Sequence, residues 1–493
     1  MYSLGYDIGS SSIKAAILEI ESGKIIANGF YPKEEMKINS PMSGHAEQDP
    51  ETWWNYAKLL TRQLIHDSKI NGNEIKSIGI SYQMHGLVTV DKEQNVIRPA
   101  IIWCDSRAVE IGNNAFEKIG KKFCLEHLLN SPGNFTASKL RWIKEKEKEN
   151  FEKINKIMLP GDFIAMKLTG DISTTTSGLS EGIFWDFKRN EISKEILNHY
   201  EIGFSLIAET NPTFSVQAKI LKSVAEELGI NNDAVVSYRA GDQPNNAFSL
   251  NVLSAGEIAA TAGTSGVVYG VIDKVNYDKL SRVNQFAHVN HSSNQTRLGV
   301  LLCINGTGIQ NSWIRNIFDE KISYDEINKI CESISIGSDD LTILPFGNGA
   351  ERMLENKNIG SQILGLDFVR HTKAHLYRAA QEGIAFSFKY GIDIMKEMGL
   401  KINVIRAGKT NMFLSPVFRQ TLANVTGATI ELYETDGSHG AARGAAIGAG
   451  LYKSFSETFS SLNKVAVIYP IKENIEQTLH SYSIWLNRLK MFI

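Results

Sequence analysis

Cysteine is scarce in this sequence. The 493 residues include four, Cys104, Cys124, Cys303 and Cys331, and none forms a C-x-x-C pair or a Cys/His cluster with zinc-finger spacing. That scatter suits reduced thiols better than a disulfide framework. An excess of either charge is missing too. Lys and Arg total 52 against 54 Asp and Glu, a formal net charge of −2, so there is no sequence-wide argument for nucleic-acid binding. With 43% apolar residues there is no compositional argument for disorder. No run approaches the ~18 consecutive apolar residues of a membrane helix. The opening Met-Tyr-Ser-Leu-Gly-Tyr-Asp has no basic segment before an apolar core, and the closing Lys-Met-Phe-Ile has no lipidation box. A cytoplasmic protein without membrane or nucleic-acid partners is expected. Short solenoid repeats and flexible-linker composition are also absent.

What is present alternates short β-like runs with longer helix-like stretches, an α/β pattern. Ser3 to Ile8 is an apolar run that breaks at Gly9-Ser10-Ser11-Ser12, and Ile13 to Ile20 follows at once. Strand, polar turn, strand reads as a hairpin. Asp49 and Pro50 read as a helix start, with Trp53, Ala57 and Leu60 on one face. Ile75 to Ser81 is a strand running into Gln83-Met84-His85-Gly86, and Lys144 to Lys153 is a solvated helix face. After a helix over 224–228, the strand Ala234 to Tyr238 ends at Arg239-Ala240-Gly241-Asp242-Gln243-Pro244. Ile258 to Ala262 runs into Gly263-Thr264-Ser265-Gly266, and Val404-Ile405 into Arg406-Ala407-Gly408. From Asp436 a helix of small residues continues to Gly450, a sign of close backbone packing. The length suggests two or three domains of ~100–200 residues, and a weakly marked boundary falls near 245–256. His288 and His291, in a polar stretch, are expected at the surface.

Four of these stretches can carry chemistry. The turn Gly9-Ser10-Ser11-Ser12 offers backbone N–H groups and hydroxyls to phosphate oxygens, with Asp7 able to hold Mg²⁺ and Lys14 adding positive charge. Gly263-Thr264-Ser265 is a second such turn. Asp242, at a strand end, can accept a proton from a substrate hydroxyl. Gln83, Met84 and His85 can wall a small polyol. Each also has an ordinary reading: a plain hairpin turn, a helix-capping Asp, a loop with one satisfied histidine.

In this order, the stretches resemble the FGGY family of carbohydrate kinases. Gly5 to Lys14 resembles the first phosphate loop. Ala46-Glu47-Gln48-Asp49-Pro50-Glu51-Thr52-Trp53-Trp54 resembles the family's E-Q-D-P-x-x-W-W segment. Gln83 to Gly86, followed by Pro99 to Arg107, is similar to the sugar site of the xylulose-acting branch. Phe135 to Trp142 is similar to the first signature, with Asn134 a departure before it. Gly241-Asp242-Gln243 matches the catalytic aspartate region and Gly263 to Gly266 the second phosphate loop. Asn305 to Gln310, Leu344-Pro345-Phe346, Glu351-Arg352 and Ser361 to Leu366 continue the likeness in the second half. The stretch matching the family's G-G-G-A adenosine loop, Arg406 to Ser415, keeps one glycine.

The resemblance implies an α/β protein of two actin-like (ribonuclease H-like) ATPase domains with the active site in the interdomain cleft, divided as 1–247 and 248–493. It implies transfer of the ATP γ-phosphoryl group to a small sugar, D-xylulose first, with ribulose, gluconate or glycerol as alternatives. Asp242 and Asp7 are implied as catalytic, Asp7 holding Mg²⁺. Gln83, Met84, His85, Asp105 and Gln243 are implied at the sugar. Gly9, Ser10, Ser11, Ser12, Lys14, Gly263, Thr264, Ser265, Gly306, Gln310, Gly408 and Asn411 are implied at ATP. A homodimer is compatible with the resemblance. Two rivals stand apart: a non-enzymatic actin-like ATP switch, which does not require Gln83 to Gly86 or Asp242, and a catalytically dead sugar-binding regulator, against which Asp7 and Asp242 argue.

Overall fold

A computed structural model describes all residues, 1–493. The chain groups into two compact units. Unit 1 comprises 1–251, 285–298 and 435–462; unit 2 comprises 252–284, 299–434 and 463–493. The units are therefore discontinuous in sequence. The expected division at 247/248 assigns 285–298 and 435–462 to the other half.

Unit 1 is built on a six-stranded sheet. Strands β1 (Tyr2–Ile8) and β2 (Ile13–Glu19) pair antiparallel, with β3 (Ile25–Tyr31) antiparallel beyond β2. On the other side β4 (Ile75–Tyr82) runs parallel to β1, β6 (Val235–Gly241) parallel to β4, and β5 (Phe214–Lys219) antiparallel at the edge, giving the order β5-β6-β4-β1-β2-β3. A three-strand meander followed by parallel strands is the ribonuclease H-like arrangement the family resemblance implies.

Strand alternation explains the faces of β1. Leu4, Tyr6 and Ile8 enter a core with Ile13, Ile17, Trp53, Leu60 and Ile80, each large apolar side chain worth ~1.5–3 kcal/mol on burial. That core is closed by α1 (Pro50–Ser68), whose N-cap Asp49 accepts from the Glu51 N–H at 3.0 Å. The alternate residues Ser3, Gly5 and Asp7 meet a later helix, numbered α6 below (Gly437–Gly448). Ser3 Oγ donates to the Ala442 carbonyl at 2.8 Å. A Cβ on Gly5 would lie 2.2 Å from the Ser438 carbonyl oxygen, and one on Gly79 2.0 Å from that of Ala441. The run of Gly and Ala in α6 is thus the other half of a close backbone contact.

Between these come α2 (Thr136–Lys146) and α3 (Asp242–Ser249), the latter directly after β6. In unit 2, β7 (Glu257–Ala262) and β8 (Gly266–Ile272) form a second hairpin. With β9 (Leu298–Ile304), β10 (Val404–Gly408), β11 (Thr429–Tyr433) and β12 (Lys464–Ile468), six of the seven strands of one sheet run in the order β9-β8-β7-β10-β11-β12. β10 is parallel to β7 and β11 to β10. Helices α4 (Gly308–Phe318) and α5 (Lys373–Glu397) pack together in this unit.

One local expectation fails. His288 is 1% exposed, not at the surface, and His291 is partly covered. Segment 285–298 returns to unit 1, where Ala287 N–H and carbonyl bond to Ser180 and Ser177. A tertiary return of this kind buries a stretch whose local polarity reads as surface. No helix is long and apolar enough to cross a membrane.

Candidate active site

The β1–β2 register sets Asp7 opposite Lys14 at the hairpin mouth. Directly opposed antiparallel residues share a face, so the cation lies beside the carboxylate. On the other side Asp7 is level with Ser81 of β4, whose Oγ donates to Asp7 Oδ1 at 2.8 Å. Burial raises the Asp7 carboxyl above its ordinary range, against the pull of Lys14 and Ser81. A Cβ on Gly437 would stand 2.5 Å from Asp7 Oδ2, so only glycine lets α6 begin here.

The turn after Asp7 is braced from behind. The Ser12 carbonyl accepts from Gly9 N–H at 3.2 Å, Ser11 from Met36 N–H at 2.8 Å, and Ser10 from Gln48 Nε2 at 2.7 Å. Gln48 is itself fixed by Trp53 Nε1–H on its Oε1 at 3.1 Å. With all three carbonyls engaged, the turn presents N–H and hydroxyl groups, the arrangement that binds anions. Trp103 Nε1–H reaches Ser10 Oγ at 3.2 Å. In the sequence Gln48 and Trp53 stand only as part of a motif and a helix start. The paired Gln and Trp in that motif were the available signal for bracing.

Asp242 is the first residue of α3. The ordinary reading of it as a cap does not hold: Gly241 occupies the N-cap position. Its carboxylate receives the main-chain and side-chain N–H groups of Gln243. Loss of hydration raises its proton affinity to about 7, with the charge of Asp7 adding to the shift and Gln243 and Lys14 opposing it. A carboxylate tuned near neutrality is suited to general-base work. Two further acids belong to this surrounding. Asp436 caps α6, accepting His439 N–H at 3.0 Å and Ser438 Oγ–H at 2.7 Å. Burial opposes its ionisation, but His439 and Ser438 hold it below the ordinary range, and its charge raises Asp7. Glu181, beside Tyr82 and within the field of Asp242, is held protonated far above the usual range by burial.

Of the expected sugar residues, Gln83 is 2% exposed with both amide atoms unpartnered by protein, a polar group that calls for a ligand. Met84 lies against Gly241, next to Asp242. His85 has φ +61°, its Nδ1 3.0 Å from the Glu181 carbonyl and its ring edge-on to Phe135 at 4.7 Å. Asp105 departs from expectation. It is 0% exposed, and its oxygens are held by Arg107 (shortest contact 2.7 Å) and by the N–H groups of Ala46 and Arg107. The pairing with Arg107 makes it a brace of its loop and not a free sugar contact.

In unit 2, the Gly263 and Thr264 carbonyls accept from Gly308 and Ile309 N–H at 2.8 and 3.1 Å, tying the turn to the start of α4. Thr264 and Ser265 are exposed. Gly263, Thr264 and Asn411 line a cavity of about 490 Å³ with Asn311, Asp325 and Gln381. Gly306, Gln310 and Gly408 do not line it. A Cβ on Gly306 would strike the Pro345 carbonyl at 1.4 Å, and Gln310 turns inward to the Ala380 carbonyl at 3.3 Å; both shape the loop from behind.

The acids fit a hydrated Mg²⁺. No group of three His, Cys, Asp or Glu side chains could cage a metal, and Mg²⁺ is commonly held by one or two carboxylates plus water and phosphate. Asp7 retains Oδ2 once Ser81 has taken Oδ1, and the elevation of Asp7 and Asp242, to which the charges of Asp436 and Asp7 respectively contribute, is what a cation would relieve.

The N-terminal domain of the FGGY family of carbohydrate kinases matches residues 2–249, and its C-terminal domain matches residues 258–452. The chain is 29% identical to the xylulose kinase of Haemophilus influenzae over 99% of both chains. Its fold resembles the crystal structures of a xylulose kinase from Rhodospirillum rubrum (TM-score 0.89, 21% identity, covering 100% and 99% of the two chains) and a gluconate kinase from Lactobacillus acidophilus (TM-score 0.90, 22% identity, 99% and 98%). By its two matched domains and its two-domain actin-like fold, the chain belongs to the FGGY family of carbohydrate kinases, ATP-using phosphotransferases with an alcohol group as acceptor.

Proposed function

We propose that the protein phosphorylates D-xylulose at its 5-hydroxyl, producing D-xylulose 5-phosphate and ADP. The observation that supports the mechanism best is Asp242, set at a strand end with its proton affinity raised to about 7 beside a second acid. In this reading Asp242 takes the hydroxyl proton as the sugar oxygen attacks the γ-phosphorus in line and the bond to the bridging oxygen of ADP breaks. Such transfer needs little covalent help, so placement and charge compensation dominate. The turns Gly9 to Ser12 and Gly263 to Ser265, with Lys14, orient the phosphates; Gly306, Gln310, Gly408 and Asn411 shape or touch the nucleotide site. Asp7 would hold Mg²⁺, which supplies charge neutralisation on the phosphates when bound. Gln83, Met84, His85 and Gln243 orient the sugar.

Xylulose as acceptor is supported by the full-length likeness to a xylulose kinase and by the Gln83-Met84-His85 wall. The test is a coupled ADP-release assay with Mg·ATP and a panel of D-xylulose, D-ribulose, gluconate and glycerol, with product identification. D-xylulose is expected to give the highest kcat/KM by at least about tenfold. Preference for another acceptor overturns the xylulose reading and leaves the kinase assignment intact.

A further inference from the structure

Lys139 has no part in the mechanism above, yet its setting is unusual. It lies on α2 and is 0% exposed. Its Nζ donates to two main-chain carbonyls, those of His85 at 2.8 Å and Ile102 at 2.9 Å. Asp105, the acid that most favours its charged form, is already paired with Arg107. Burial draws the ammonium down to about 7. A cation buried without its own counter-ion is a costly way to fill space, and an apolar side chain would suffice if filling space were the need.

The two carbonyls explain the choice. One belongs to His85, whose left-handed φ of +61° is disfavoured for any residue but glycine. The other precedes Trp103, which touches Ser10, and Asp105. The same stretch of chain adds three more ties to these loops. Thr136 Oγ1–H donates to the Gly86 carbonyl at 3.3 Å, the Phe135 ring meets the His85 ring, and Asn134 bonds the Asp105 carbonyl.

We propose that Lys139 is a positioning residue for the acceptor sugar, fixing the His85 turn and the 102–107 loop to one helix. This rests on the reading that Gln83 to His85 face the sugar.

The experiment compares full-length wild type, Lys139→Met, Lys139→Gln and His85→Ala, using whichever acceptor the wild type phosphorylates best. For Lys139→Met, kcat/KM for the sugar should fall about 10²-fold, the scale of a 1 Å misplacement, chiefly through the sugar KM. The ATP KM should stay within about twofold, and unfolding should remain cooperative. Lys139→Gln, which keeps a donor, should recover part of the sugar KM. An unchanged sugar KM in Lys139→Met while His85→Ala raises it overturns the proposal and spares the site reading. Unchanged sugar KM in both variants overturns the site reading as well. If both Lys139 variants lose sugar and ATP constants in step with folded protein, Lys139 is assigned to the fold alone and the proposal is overturned.

Discussion

The two hairpins invite comparison because the same strand pattern has been given opposite chemistry. Each has a polar turn after a buried strand, and each first strand is flanked by a parallel neighbour, β4 in unit 1 and β10 in unit 2. The first turn is four residues long with Asp7 and Lys14 opposite one another at its base. The second is three residues long, and Thr261 and Ala262 oppose Val267 and Gly266 at its base. Unit 1 therefore concentrates ionisable groups whose burial shows as raised proton affinity. Unit 2 offers mostly neutral hydroxyl and amide groups around its cavity. Burying Asp7, Asp242 and Glu181 costs stability, so their presence marks where charge is handled; neutral donors suit recognition of a nucleotide.

The largest test of that contrast is Asp242→Asn. Removing a general base should lower kcat by about 10²–10⁴-fold in the ADP-release assay with the fold retained; near-normal turnover would remove Asp242 from the role. The same substitution should stabilise the protein at pH 8. A carboxyl whose folded value is about 7, against an ordinary 3.8, favours the folded state only while protonated. That contribution is full below about 4 and is lost as pH rises to about 7. Asn carries no such loss, so its advantage in Tm, a few degrees for about 1 kcal/mol, should be present at pH 8 and vanish near pH 4.

Asp7→Asn comes next. Turnover should drop roughly 10–10²-fold with a raised Mg²⁺ requirement. Because the Asp7 charge pushes Asp242 up, the acidic limb of kcat/KM, expected near pH 7 in the wild type, should move to lower pH. A limb that stays put separates the two acids and breaks the picture of one charged cluster.

Gln48→Ala should raise the ATP KM by about tenfold, the scale of one lost brace worth ~1–1.5 kcal/mol, with kcat less affected. Thr264→Ala in the neutral hairpin should have the smallest effect, a few-fold in ATP KM and no change in the pH profile. A shifted profile in Thr264→Ala would show that the second hairpin also governs charge.

Much of this was legible locally. The β1–β2 hairpin, the Asp49 cap and the strand ending near Asp242 follow from short patterns of apolar residues, turns and caps, and all lie where those patterns put them. What escaped depends on distant partners. The ion pair that occupies Asp105, the Gln48 brace on Ser10, the acids Asp436 and Glu181, and the burial of His288 are set by tertiary approach. Gly306, implied at ATP by the resemblance, has the further task of making room for the Pro345 carbonyl.

The small-residue helix has a consequence for biosynthesis. Ser3 waits for the carbonyl of Ala442, 439 positions later, and Asp7 for Gly437. At about 5–20 residues per second, the nascent β1–β4 sheet spends tens of seconds with the bare backbone of Gly5 and Gly79 uncovered. Vectorial synthesis cannot complete unit 1 first and unit 2 second. The phosphate-turn half of the molecule is finished among the last, and a chain stopped at 251 lacks the helix that closes it.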